Sequence, residues 1–357
     1  MGRQRFRRAI IDLVASLTRR KLLGAVPALG LGAAALHATV PHSHSDASAA
    51  EHGGEDGATP GHGSGHAGFR GQVDHKANGF DPHEILRNFD YGKTSRLPDG
   101  RTLREWTLAA AEQEIELAPG VKYEAWSYNG RVPGPTLRCT EGDRLRITFV
   151  NGSRIHPHTI HFHGLHPAGM DGMPGVGRGE IAPGERFVYE FDALPAGLHL
   201  YHCHVRPLAE HIAKGMYGTF IVDPKQPREQ ADEMVMVMNG FDTNYDAANE
   251  LYAANTIGFA YAEKPIRIKR DALVRIYVVN ILEYDLINSF HLHGQLFEYF
   301  PTGTSKTPSE LTDTIMLCQG QRGIVEMRMP YTGKYMFHAH QSEFTELGWM
   351  GFFEVVE

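Results

Sequence analysis

Histidine is abundant in this chain, with 21 copies in 357 residues, and four His-x-His pairs stand out: His161/His163, His202/His204, His291/His293 and His338/His340. Residues two apart on a β-strand share a face, so each pair presents two imidazoles together. Eight imidazoles from four strands suit copper or another first-row metal. Zinc sites seldom use so many, and calcium or magnesium would require oxygen ligands. One such pair arises on a surface strand by chance, whereas four at corresponding places in a repeat point to a metal site.

A second ligand set overlaps the first. Cys203 lies between His202 and His204, so on a regular strand its sulfur points to the opposite face. His158 stands at an odd offset from His161 and His163, and His211 and Met216 follow Cys203 in the next loop. Two histidines, one cysteine and an axial methionine make the ligand set of a blue-copper electron-transfer centre. One strand would then separate two copper sites, and the backbone from Cys203 to its flanking histidines is the shortest covalent path between them.

The elements that must position these residues are strands. From about residue 105 the chain runs in short β-branched and aromatic stretches separated by Gly, Pro, Asn and Asp, an all-β texture. The stretch Leu145 to Asn151 returns as Val274 to Asn280, Phe162-His163-Gly164 as Leu292-His293-Gly294, and His202-Cys203-His204 as His338-Ala339-His340. Three landmarks in one order predict two copies of one β-sandwich domain, over 101–227 and 228–357.

With these residues in view, the run from His158 through His161 and His163 to Gly164, and the run from His202 through Cys203, His204 and His211 to Met216, resemble the signatures of multicopper oxidases. The resemblance implies two cupredoxin-like domains and four coppers per chain. By position it assigns His158, Cys203, His211 and Met216 to a type 1 copper, and His161 and His291 to a type 2 copper. His163, His202, His204, His293, His338 and His340 fall to a type 3 pair. The implied reaction is laccase-like: a phenol, aromatic amine or low-valent metal ion is oxidised, and O2 is reduced to water.

The second repeat lacks a blue site. Asn288 stands where His158 does, Ala339 replaces Cys203, and the stretch matching His211 to Met216 is shortened and holds Leu347 and Trp349. This resembles the two-domain laccase-like oxidases with type 1 copper in domain 1 alone. In those relatives the trinuclear cluster lies between domain 1 of one subunit and domain 2 of the next, in a homotrimer. Two alternatives stay open. A copper-containing nitrite reductase resembles this plan but carries an aspartate where this chain has His161, and would leave His161, His204, His293 and His340 without a purpose. A non-enzymatic electron-transfer cupredoxin needs only the type 1 set.

Dioxygen reduction consumes protons, so an acid near the cluster is expected. Asp171 resembles the acidic residue that follows the first histidine motif in the family; Asp313 occupies a comparable stretch of the second repeat, and Glu343 lies three residues beyond His340. Met170 and Met173 read as loop packing, and His156, His166 and His199 as structural neighbours of the motifs. With only Cys139, Cys203 and Cys318, at most one disulfide is possible, and a bridge between Cys139 and Cys318 is left open.

Outside the repeats, residues 1–38 combine an arginine-rich start, Thr18-Arg19-Arg20-Lys21 and a weakly apolar Leu22 to Leu36. They resemble a twin-arginine export signal, which places the protein in the periplasm or outside the cell. Residues 39–100 read as a flexible His/Gly-rich linker whose histidines are assigned no site. A net charge of -7 with no long basic run beyond the leader excludes a nucleic-acid partner and an anionic-membrane partner. O2 and a small reducing substrate are the expected partners, with no stable membrane span in the mature chain.

Overall fold

A computed structural model of the chain describes residues 71–357. The export signal and the first part of the expected linker lie outside the described residues.

Arg144–Asn151 shows how the sequence builds a layer. Leu145, Ile147 and Phe149 are buried and alternate with partly exposed residues, as on a strand with one face on a core and one toward water. Its parallel partner is Thr102–Ala118 and its antiparallel partner Arg186–Asp192, in a sheet that also holds Lys93–Arg96 and Val121–Tyr128. The facing sheet runs in the order Phe89–Asp90, Thr136–Thr140, Tyr217–Asp223, Gly197–His202, His161–Phe162. Between them lies a core that includes Leu108, Phe149, Phe162, Tyr201 and Phe220.

Domain 2 repeats this plan. Asp232–Phe241 runs parallel to Val274–Asn280, and Ile266–Lys269 parallel to Met350–Val356, the same two parallel pairings at the same places. Both domains are cupredoxin-like β-sandwiches, as the tandem landmarks predict. The repeated strand Val274–Asn280 nevertheless buries every residue. Val274, Ile276 and Val278 face the core of domain 2, while Tyr277 and Val279 join a second core shared with Leu198, Leu200 and Ile221 of domain 1. Full burial of such an aliphatic side chain contributes about 1.5–3 kcal/mol, so the domains meet through a core rather than a hinge. Arg138 spans the same interface, hydrogen-bonded to Asp223 and Glu233.

The linker expected up to residue 100 is shorter than the composition indicates. Asp81 caps a helix at Pro82–Arg87 by accepting the His83 amide, and Ile85 and Leu86 are buried in the interdomain core and the core of domain 2. Residues Phe89–Asp90 and Lys93–Arg96 then join the two sheets of domain 1 as edge strands.

Candidate metal centres

His158, Cys203 and His211 come together from three separate pieces of chain. His158 sits in an isolated bridge with Ile181, Cys203 ends the run that begins in strand Gly197–His202, and His211 lies in helix Leu208–Ala213. Cys203 Sγ is 3.1 Å from His211 Nδ1 and 3.8 Å from His158 Nδ1, and the two Nδ1 atoms are 3.2 Å apart. All three residues are buried. Burial holds His158 down to about 3 and His211 to about 4, helped by neighbouring histidines, and pushes the Cys203 thiol up to about 11. Both imidazoles are therefore neutral, the form that binds metal, and binding must displace the thiol proton.

Met216 is fully buried in the same apolar cluster as Cys203. Its amide donates to the His211 carbonyl (3.2 Å) and its carbonyl accepts the Cys203 amide (2.9 Å). Backbone bonds thus hold Met216 next to the other three, whose two nitrogens and one sulfur lie close enough together to hold a metal ion. Thr159, which sequence reasoning passed over, donates its amide to Cys203 Sγ at 3.4 Å, a contact that stabilises a thiolate.

On the other face stand the histidine quartets. His161 is in register with His202, and His291 with His338. The ring spacings of the two quartets agree: His161–His163 and His291–His293 are both 5.0 Å, and His161–His204 and His291–His340 both 5.2 Å. His163 Nε2 lies 2.9 Å from His202 Nε2, and His293 Nε2 lies 3.0 Å from His338 Nε2. After the second histidine of each pair the chain takes a left-handed turn at Gly164 and Gly294, with φ of 72° and 76°, which only glycine adopts without strain.

Backbone carbonyls set the tautomers. His161 Nδ1 donates to the Asp171 carbonyl and His291 Nδ1 to the Asp313 carbonyl, each at 2.9 Å. His202 Nδ1 donates to the Cys203 carbonyl at 2.8 Å, and His338 Nδ1 to that of Ala339. Each of these four rings keeps a bare Nε2 as a ligand atom. Burial, then the neighbouring imidazoles, hold His163 down to about 2, and burial holds His202 to about 4. Thr159 Oγ1 accepts the His204 amide and Ser289 Oγ the His340 amide, so the supports are repeated as well. The first quartet is mostly sheltered. The second opens on a cleft of about 450 Å³ lined by His291, His293, Leu296 and Asp313.

Of the predicted acids, Asp171 and Asp313 take matching places. Their carboxylates lie 3.3 Å from His161 Nδ1 and 3.9 Å from His291 Nδ1. Glu343 sits in the first turn of helix Ser342–Glu346, where its charge acts on Tyr252. His166 is 5.3 Å from the His161 ring, His199 Nδ1 is 3.0 Å from the His163 carbonyl, and His156 packs at a tilt on Trp126. Cys139 and Cys318 are both free, so the bridge left open by the sequence is not formed.

Domain 2 has no counterpart of the His158, Cys203 and His211 cluster at the equivalent positions. Trp349 donates its amide to the Phe344 carbonyl and accepts the Ala339 amide, the two bonds that Met216 makes with His211 and Cys203. Phe344, not Leu347, therefore replaces His211, and Trp349 replaces Met216. The stretch itself is not shortened, since Phe344 to Trp349 is as long as His211 to Met216; the deletion lies in the loop between Ala339 and Phe344, and it hid this register. With Asn288 and Ala339, none of the four equivalent positions offers the nitrogen and sulfur donors of domain 1.

Comparisons with known proteins agree with this architecture. The multicopper oxidase family matches residues 109–227 and again residues 228–357. A solved multicopper oxidase is 61% identical, covering 80% of this chain and all of its own, with a TM-score of 0.78. A copper nitrite reductase from Nitrosomonas europaea is 26% identical over 71% of this chain and 94% of its own, with a TM-score of 0.65. The copper-containing nitrite reductase of Neisseria gonorrhoeae is 29% identical over 252 residues, 65% of this chain and 63% of that protein. The chain thus spans less than two thirds of the length of that curated relative. Two family matches in tandem, over two sandwiches that each carry a histidine quartet, make this chain a member of the multicopper oxidase family.

Proposed function

We propose that the protein is a laccase-like oxidase that takes electrons one at a time from a reducing substrate and reduces O2 to water. The observation that carries this reading is the matched pair of quartets. Eight histidines in two quartets with matching ring spacings, four of them with carbonyl-fixed tautomers, suit three metal ions better than one. His158, Cys203, His211 and Met216 would hold the type 1 copper, His161 and His291 the type 2, and the other six histidines the type 3 pair, four coppers per chain. Copper bound there supplies the one-electron redox chemistry and the reduction of O2.

The protein's own part is positional. Carbonyls of Asp171 and Asp313 orient His161 and His291, the buried wall around Cys203 excludes water, and one peptide unit joins Cys203 to each flanking histidine. The Asp171 and Asp313 carboxylates, beside those same rings, are placed to carry protons inward.

Chain geometry supports an oligomer. An added Cβ at Gly320 would lie 3.7 Å from His163, so His163 faces that turn of domain 2. Gly320 follows strand Thr314–Cys318, in which Thr314 pairs with His291 but Cys318 pairs with Ile287, roughly 13 Å further along at ~3.3 Å per residue. Each quartet would be completed by another subunit, in a homotrimer exported to the periplasm or beyond.

The likeness to nitrite reductases supports a second reading, and metal counting separates the two. Four coppers per chain with O2 uptake is the expected result, and two coppers with nitrite turnover would replace the oxidase by the reductase.

A further inference from the structure

His211 is only 2% exposed and His158 only 1%, so little of either ring is open to a donor in solution. Trp126 packs against both rings. Its ring stands edge-to-face 4.9 Å from His211 and 5.5 Å from His158, and 4.4 Å from the half-exposed ring of His156. Trp126 and His156 line an open groove of about 700 Å³ whose walls also include Glu112, Glu124, Arg154 and Glu210. One indole thus lies between the groove and both imidazoles.

The contact is held by backbone. The Trp126 amide donates to the Lys214 carbonyl at 2.8 Å, tying strand Val121–Tyr128 to the residue that ends the helix bearing His211. Gly215 follows with no room to spare: an added Cβ would sit 2.6 Å from Val132 Cγ2 and 3.0 Å from the Trp126 carbonyl oxygen. The indole and the imidazole cannot easily drift apart.

We propose that Trp126 is the electron bridge into the type 1 site, and that an aromatic one-electron donor, a hydroquinone or aromatic amine, sits in the groove against Trp126 and His156. The inference rests on the type 1 reading given above. Electron transfer through touching π-systems falls off less steeply than across a gap, and aromatic donors stack on such rings. The donor would lose one electron, and a hydroquinone also the proton of its radical cation to water in the open groove; a cupric ion held by His158, Cys203 and His211 would gain the electron, and Trp126 would end unchanged.

The test uses the copper-loaded full chain with hydroquinone as the probe. In Trp126→Leu, copper content and the visible thiolate-to-copper band persist, while anaerobic bleaching of that band by hydroquinone slows by at least about ten-fold. Trp126→Tyr restores most of the rate. Copper added to the metal-free wild type quenches tryptophan emission, and this quenching disappears in Trp126→Leu although Trp106 and Trp349 still emit. His156→Ala, which removes a wall of the groove and no predicted ligand, raises the hydroquinone KM by roughly two- to ten-fold with kcat held. An unchanged bleaching rate in Trp126→Leu with its band intact, or an unchanged KM in His156→Ala, overturns the proposal. Lack of the band in the copper-loaded wild type is a different failure, because it removes the type 1 reading and this inference with it.

Discussion

Trp349 donates its indole N–H to Asn288 Oδ1 across 3.1 Å, and the pair fills in domain 2 the space where domain 1 gathers a thiol and two imidazoles. Trp349 is fully buried among Phe290, Phe337 and Ala339. The repeat has exchanged a metal pocket for an apolar plug. Trp349→Ala should therefore leave a cavity and strip Asn288 of a partner, at a cost of about 3–5 kcal/mol in unfolding free energy. Denaturant unfolding measures the loss, while the thiolate-to-copper band of the folded fraction stays unchanged. Loss of that band at wild-type stability would contradict the assignment of the plug.

Cys203→Ala tests the asymmetry from the other side. It gives domain 1 the alanine that domain 2 carries at position 339, while the His202 and His204 rings belong to the opposite face of the strand. The visible band should vanish and copper content should fall by one of the proposed four per chain. Oxidation of donors falls to background. A variant that lost three or more coppers would show that the two sites are not separate, as the strand geometry requires.

The proton role of the paired acids is open to a direct comparison. The Asp171 carbonyl, not its carboxylate, makes the 2.9 Å bond to His161 Nδ1, so Asp171→Asn keeps the ring in place and removes only the ionisable group. The O2-uptake rate should fall about 10²-fold, the lower range for loss of a general acid, with copper content unchanged. Asp313→Asn should act in the same direction at the matching place. Glu343→Gln, whose carboxylate bears on Tyr252 instead, should leave the rate alone. A full rate in Asp171→Asn would remove that residue from proton delivery.

What could be read from the sequence was whatever strand periodicity encodes locally. A spacing of two puts His161 with His163, and the odd position of Cys203 sends its sulfur to the other face, where it lies 3.1 Å from His211 Nδ1. The tandem repeat was legible for the same reason, since matching strands keep matching spacings. The replacement of His211 by Phe344 was not legible, because a shortened loop erases the offset and only the bond from Trp349 to Phe344 restores it. Composition also overextended the linker. Gly and His dominate its early part, but Ile85, Leu86 and the Asp81 cap belong to the folded domains. Trp126 carries no motif, and its place over His158 and His211 comes from a strand remote in sequence.

The charge network across the domain interface should set the acid limit of stability. Burial alone would raise the Glu233 carboxyl, but hydrogen bonds from Arg138, Tyr277 and Arg275 outweigh it and hold the group below the usual carboxylate range. A carboxylate lowered in the folded state contributes stability that is complete above its unfolded value and is lost as the pH falls through the folded one. Thermal unfolding followed from about pH 7 to pH 3 should show the wild type losing stability on acidification more steeply than Glu233→Gln. At neutral pH the variant should be the less stable of the two, because Arg138 and Arg275 keep their charges with one partner fewer. Since Arg138 belongs to domain 1 and Arg275 to domain 2, the transition should remain single if the shared core unfolds as one unit, and should split into two if Glu233 is what couples the domains.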